Sequence, residues 1–143
     1  MATPDQILPQ IDALGIPTDD FTMCNPPFYA SQEDMRATWN KAAPPSAVCT
    51  GADIEMIADG GDAGFVVRMI DQSVPMRTQI QWYTSMLGKL SSVRVAVTRL
   101  KEQNCKNWAI GTLNTGGKTR RWVIAWSWRD LRPMAVSLPS PDP

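Results

Sequence analysis

Apolar positions recur along the chain at two spacings, helical in some stretches and strand-like in others. Ile7, Leu8, Ile11 and Leu14 fall on one helical face, which predicts a helix within 4–14, kinked or restarted at Pro9 and stopped by Gly15-Ile16-Pro17. Phe21 to Cys24 reads as a short strand, entered after Asp19-Asp20 and ended by the double proline Pro26-Pro27. Ser31 to Trp39 suits a helix capped by Ser31, and Lys41 to Gly51, with Pro44-Pro45 inside it, is a loop. A loop of that length within a compact domain is usually functional or mobile.

The pattern sharpens in the second half. Gly60-Gly61-Asp62 opens a helix in which Phe65, Val66, Met69, Ile70 and Ser73 keep the 3.6-residue period, and Pro75 is expected to end it. Ile80 to Leu87 reads as a strand broken by Gly88. Ser91 or Ser92 then caps a second helix through about Gln103, with Val93, Val97 and Leu100 on one face. Trp108 to Leu113 and Arg121 to Trp128 are strands joined by the turn Asn114-Thr115-Gly116-Gly117. The last strand is apolar on both faces, which predicts a position inside a sheet covered on both sides. Strand–helix–strand units favour parallel pairing, so the order describes an α/β fold: the closing half of an open, twisted sheet that ends in an antiparallel hairpin.

A chain of 143 residues with 43% apolar and 20% charged side chains is globular in composition and has room for one domain. The expected division is a partial domain over 1–132 and a proline-rich disordered tail over 133–143. Three cysteines, far apart and without a CxxC pair, in a chain with no histidine argue against a disulfide scaffold and against a zinc site; no metal is expected. Reduced thiols suit a nuclear or cytoplasmic location, and no apolar run is long enough to span a membrane. The zero net charge hides an asymmetry: residues 1–72 carry 11 acidic and 3 basic side chains, and residues 73–143 carry 11 basic and 3 acidic. The basic half is expected to face a polyanion.

Asn25-Pro26-Pro27-Phe28 follows directly on a strand, where ligands of open α/β sheets bind. Each X-Pro bond bars the preceding residue from the α region, so the loop is stiff at little further entropic cost. A stiff loop can aim the Asn25 amide oxygen and the Pro26 carbonyl at one point, a pair of acceptors that suits an amine with two N–H donors. Phe28 adds a flat face on which a base can stack, an interaction of about 1–3 kcal/mol. Two such hydrogen bonds would make the poorly nucleophilic exocyclic amine of adenine pyramidal. Catalysis would then be positioning and electrostatics, with no perturbed general base, and the base must leave its stack to arrive.

With "DFTMCNPPFYASQ" (Asp20 to Gln32), "PPSAVCTG" (Pro44 to Gly51), "EMIADGGDAGFVVRMIDQS" (Glu55 to Ser73), "WYTSMLGK" (Trp82 to Lys89) and "RRWVIAWSW" (Arg120 to Trp128), the chain resembles the adenine N6-methyltransferases that act on small nuclear RNA and large-subunit ribosomal RNA. The match runs from about Leu8 to Asp130 and is closer to the eukaryotic branch. The resemblance implies the C-terminal half of a Rossmann-like class I methyltransferase sheet, with S-adenosyl-L-methionine as donor and structured RNA as substrate. It implies that Asn25, Pro26, Pro27 and Phe28 hold the target amine and that Asn25 also lies beside the donor. It further implies that Thr50, Gly51, Lys89 and Arg120 line the RNA side.

The resemblance also implies a glycine-rich donor site well upstream of the Asn-Pro-Pro-Phe loop. Only 24 residues precede Asn25, and none forms a GxGxxG-type turn. A truncated enzyme is therefore expected, to be completed by an N-terminal chain that covers its apolar sheet face. Two alternatives stand beside it: a catalytically inactive RNA-binding remnant, and a protein glutamine N-methyltransferase, which uses a similar loop.

Overall fold

The computed structural model describes residues 7–8, 19–27, 29, 31, 33, 36–37, 60–114 and 116–132. Four strands and two helices stand out: β1 (Asp19–Thr22), α1 (Gly61–Met76), β2 (Ile80–Leu87), α2 (Leu90–Glu102), β3 (Asn107–Asn114) and β4 (Arg120–Ser127). The sheet order is β1-β2-β4-β3. β1 runs parallel to β2, and β4 lies antiparallel between β2 and β3. The parallel pair and the closing hairpin follow the sequence pattern. The insertion of β4 does not: β2 and β3 point the same way, joined by α2, but are not neighbours.

The helices form where the 3.6-residue period puts apolar side chains on one stripe. α1 buries Val66, Met69 and Ile70, and α2 buries Val93, Ala96 and Leu100. Both pack on the sheet face made by Tyr83 and Leu87 of β2 with Ile124 and Trp126 of β4. Trp126 stacks on Tyr83 with ring centroids 5.6 Å apart. Its indole N–H and that of Trp128 both donate to the Ser73 hydroxyl at 3.0 Å, and that hydroxyl donates to the Ile70 carbonyl at 2.6 Å. One serine on α1 thus satisfies two tryptophans of the sheet, as buried polar groups require.

Three local expectations are corrected. Pro75 does not stop α1, which runs to Met76; the proline sits in the last turn. Neither serine caps α2: the N-cap is Lys89, without a side-chain cap bond, and the buried Ser92 hydroxyl turns instead to Asp62. β4 is not buried on both faces. Ile124 and Trp126 are buried beneath the helices, whereas Val123 and Ala125 are half-buried and their β3 partners Gly111 and Ala109 are exposed.

Residues 116–119 lie between β3 and β4, with Asn114 opposite Arg120. Of the expected first helix only Ile7 and Leu8 are described, and neither is helical; their backbone N–H groups donate to the Gln72 side chain at 2.8 and 3.0 Å, and Leu8 is buried. Glu33, Arg36 and Ala37 are helical, in the stretch where a helix was expected. The 41–51 loop and the 133–143 tail lie outside the described residues.

Candidate functional site

β1 is fixed to β2 by more than its ladder. The Thr84 hydroxyl donates to the Thr22 carbonyl at 2.6 Å, and the Gln81 amide donates to the Asp20 carboxylate at 2.9 Å. The ladder then continues one step past the strand, with the Met86 N–H donating to the Cys24 carbonyl at 2.9 Å. Asn25 is therefore the first residue to leave the sheet, from an anchored backbone. Its side chain is exposed, Pro26 is buried, and Pro27 is half-buried. The exposed asparagine is thus followed by a buried proline, in a segment that its two X-Pro bonds stiffen. Phe28 lies outside the described residues, as do Thr50 and Gly51.

Register carries the other expected residues to the same end of the sheet. β1 and β2 run parallel, so the Asn25 bend and the Gly88-Lys89 turn leave from matching ends. Leu87, the last residue of β2, pairs with Trp122 of β4, which places Arg120 at that end too. Lys89 and Arg120 are both exposed. The Arg120 guanidinium sits over the Trp122 ring, 6.0 Å from its centroid, a cation–π arrangement that steadies a long side chain at the rim. Lys118, in the hairpin turn, adds a further exposed positive charge on this side. Asn25, Lys89 and Arg120 are thus brought to one rim although 95 positions separate the first from the last.

Cys24 lies next to Asn25 and is half-buried. Burial pushes its thiol above the ordinary range, a rise only partly offset by a hydrogen bond with the Ser85 hydroxyl, so it stays protonated near neutrality. The rim offers hydrogen-bond acceptors and fixed positive charges, and no group of three or more metal-ligating side chains occurs among the described residues.

Sequence reasoning missed Asp62 as part of this end. The carboxylate is buried, 3% exposed, and accepts from the Gly88 N–H and the Ser92 hydroxyl, each at 2.7 Å. The signal available was an acid in the first turn of a helix, which on its own says only that it suits the helix dipole.

A methyl donor would meet little of the described structure. Gly60 and Gly61 have positive φ, but a Cβ on Gly60 would lie 3.0 Å from the α-carbon of Gly64, so this turn packs on its own helix. Around Gly116 and Gly117 there is open space. Neither glycine turn among the described residues forms a cradle for the donor.

Residues 11–130 match a family model described as RNA methyltransferase. The chain is 46% identical over 129 residues to the U6 small nuclear RNA (adenine-(43)-N(6))-methyltransferase of Schizosaccharomyces pombe, covering 90% of this chain and 32% of that protein. It is 38% identical over 125 residues to the RNA N(6)-adenosine-methyltransferase METTL16 of Homo sapiens, covering 85% of this chain and 21% of that protein. The chain thus spans a third or less of the length of these two relatives. The structure superposes on the METTL16 catalytic domain solved with the MAT2A 3'UTR hairpin 1, with TM-score 0.75 and 37% identity, over 85% of this chain and 43% of that one. It also superposes on the METTL16 N-terminal domain solved with SAH, with TM-score 0.57 and 30% identity, over 86% of this chain and 40% of that one.

Proposed function

The chain belongs to the RNA adenine N6-methyltransferase family, and from that premise we propose that it carries the amine-holding part of an S-adenosyl-L-methionine-dependent enzyme acting on structured RNA. The observation that carries the reading is the exposed Asn25 on a bend backed by the buried Pro26, anchored at the end of β1 beside a rim with Lys89 and Arg120. S-adenosyl-L-methionine supplies an electrophilic methyl group when bound.

The chain's own residues then act as follows. The Asn25 amide oxygen and the Pro26 carbonyl accept the two N–H bonds of a flipped adenine, holding its nitrogen pyramidal with the lone pair directed away from the ring. Phe28 stacks on the base. Lys89 and Arg120, with Thr50 and Gly51, hold the phosphate backbone, fixing register without reading sequence. Among the described residues Phe21 is 58% exposed on the face away from the helices, which supports a truncated domain completed by an N-terminal chain that holds the donor. A reading as an inactive RNA-binding remnant draws on the lack of a donor cradle at either glycine turn among the described residues. The two relatives reported above are both named for RNA, which weighs against a protein glutamine N-methyltransferase.

The test is a graft. Residues 8–130 replace the matched segment of the Schizosaccharomyces pombe relative, and methyl transfer to an RNA stem-loop with an unpaired adenosine is measured. The graft is expected to be active, and Asn25→Ala in it to lower turnover by roughly 10²–10³-fold, the scale of one removed transition-state hydrogen bond. Near-normal turnover in the variant would remove Asn25 from this role. An inactive but folded graft would favour the remnant.

A further inference from the structure

We infer that Asp62 is a positioning residue for the RNA rim: from its buried site it sets where Lys89 stands, without touching RNA itself. The inference rests on the reading of Lys89 as an RNA contact. Asp62 lies in the first turn of α1, and its two oxygens are divided between two elements. One takes the N–H of Gly88, the residue after β2, and the other takes the hydroxyl of Ser92 in the first turn of α2, each at 2.7 Å. Bonds this short to a carboxylate are charge-assisted and stronger than neutral ones. The residue between these two anchors that also serves as the N-cap of α2 is Lys89, extended at φ −133 and ψ 144, with no side-chain cap bond of its own. Its backbone is therefore clamped from both sides by one carboxylate, while its side chain is exposed.

The clamp is close to the amine-holding bend as well. Two residues before Gly88, the Met86 N–H donates to the Cys24 carbonyl, and Asn25 follows Cys24. A shift of Gly88 would thus move the cationic rim relative to the bend. With 3% of its surface exposed, Asp62 cannot reach a polyanion, so any effect on RNA passes through Gly88 and Lys89.

A rival account makes Asp62 a plain negative charge at two helix starts. The two accounts differ in sign. Removing a negative charge near a polyanion tightens RNA binding, whereas releasing Lys89 weakens it. They differ again for the isosteric amide. Asn keeps an oxygen for Gly88, and its NH2 can donate to the Ser92 hydroxyl, which turns to accept; it loses the charge but retains the clamp.

The experiment is fluorescence anisotropy on this chain with a labelled RNA stem-loop bearing an unpaired adenosine, across a salt series. Lys89→Ala is expected to weaken binding by roughly fivefold and to reduce the salt slope by about one. Asp62→Ala should weaken it to a similar extent, Asp62→Asn should retain most of the affinity, and Asp62→Ala with Lys89→Ala should be no worse than either alone. Unchanged or tighter binding by Asp62→Ala, with Lys89→Ala still weak, overturns the inference and leaves the rim intact. An ineffective Lys89→Ala overturns the reading of the rim and the inference with it. Should Asp62→Ala fail to fold, amide hydrogen exchange on the unmodified chain decides: Gly88 is expected to be strongly protected, and exchange at the rate of an exposed loop amide removes the clamp.

Discussion

At the scale of single residues, the chain separates polar groups that stabilise from polar groups that work. Ser73 belongs to the first kind, because its hydroxyl is the shared acceptor for the Trp126 and Trp128 indoles. Ser73→Ala leaves a fully buried indole N–H without a partner and a second one half-buried, so it is expected to cost about 2–3 kcal/mol, measured by urea unfolding. The titrating thiols are also structural. Burial raises Cys24 and Cys105 above the ordinary thiol value of 9.0, and Tyr83 is raised likewise. Above that value the unfolded chain releases protons that the folded chain retains, so unfolding is favoured as pH rises. Stability is therefore expected to be level below about pH 9 and to fall through more alkaline pH, with a shallower fall in Cys105→Ala; a flat thermal midpoint to pH 11 would show that these groups are not held by the fold. Asn25, to which the proposed reading gives the second kind of role, is exposed and follows the Cys24 carbonyl that the Met86 N–H holds.

At the scale of elements, legibility followed how local each cause was. The strand Ile80–Leu87 is bounded where the sequence places it, because an apolar run meets Gly88. α1 begins at Gly61 because Gly60 supplies the left-handed φ of 74° that its N-cap takes. What failed depended on distant partners. Ser92 has the chemistry of a cap, but Asp62, 30 positions earlier, accepts its hydroxyl. β4 carries apolar residues on both faces, and which face is buried depends on where α1 and α2 pack, a choice its own sequence does not contain. The candidate site was legible in part for the same reason. The Asn-Pro-Pro-Phe loop announces itself within four residues, whereas the meeting of Lys89, Arg120 and Asn25 follows from strand order alone.

At the scale of the whole molecule, the two faces of the sheet differ in kind. One is sealed by helices, and the other presents Phe21, Trp82, Ala109 and Ala125 around a shallow depression of about 450 Å³. Phe21→Thr should lower binding of an apolar dye and reduce self-association while shifting the urea midpoint by less than about 0.5 kcal/mol equivalent, since this side chain has little burial to lose. A large loss of stability would place Phe21 in a packed core instead. The strand order has one more consequence, for the time at which the fold can close. During synthesis β2 and β3 leave the ribosome before β4, yet in the sheet each hydrogen-bonds to β4 and not to the other. Until residues 120–127 emerge, β3 has no partner among these strands and β2 has one free side. The nascent chain must keep a gap one strand wide and fill it last, which gives its folding a late, non-local step and a window in which open strand edges call for a chaperone.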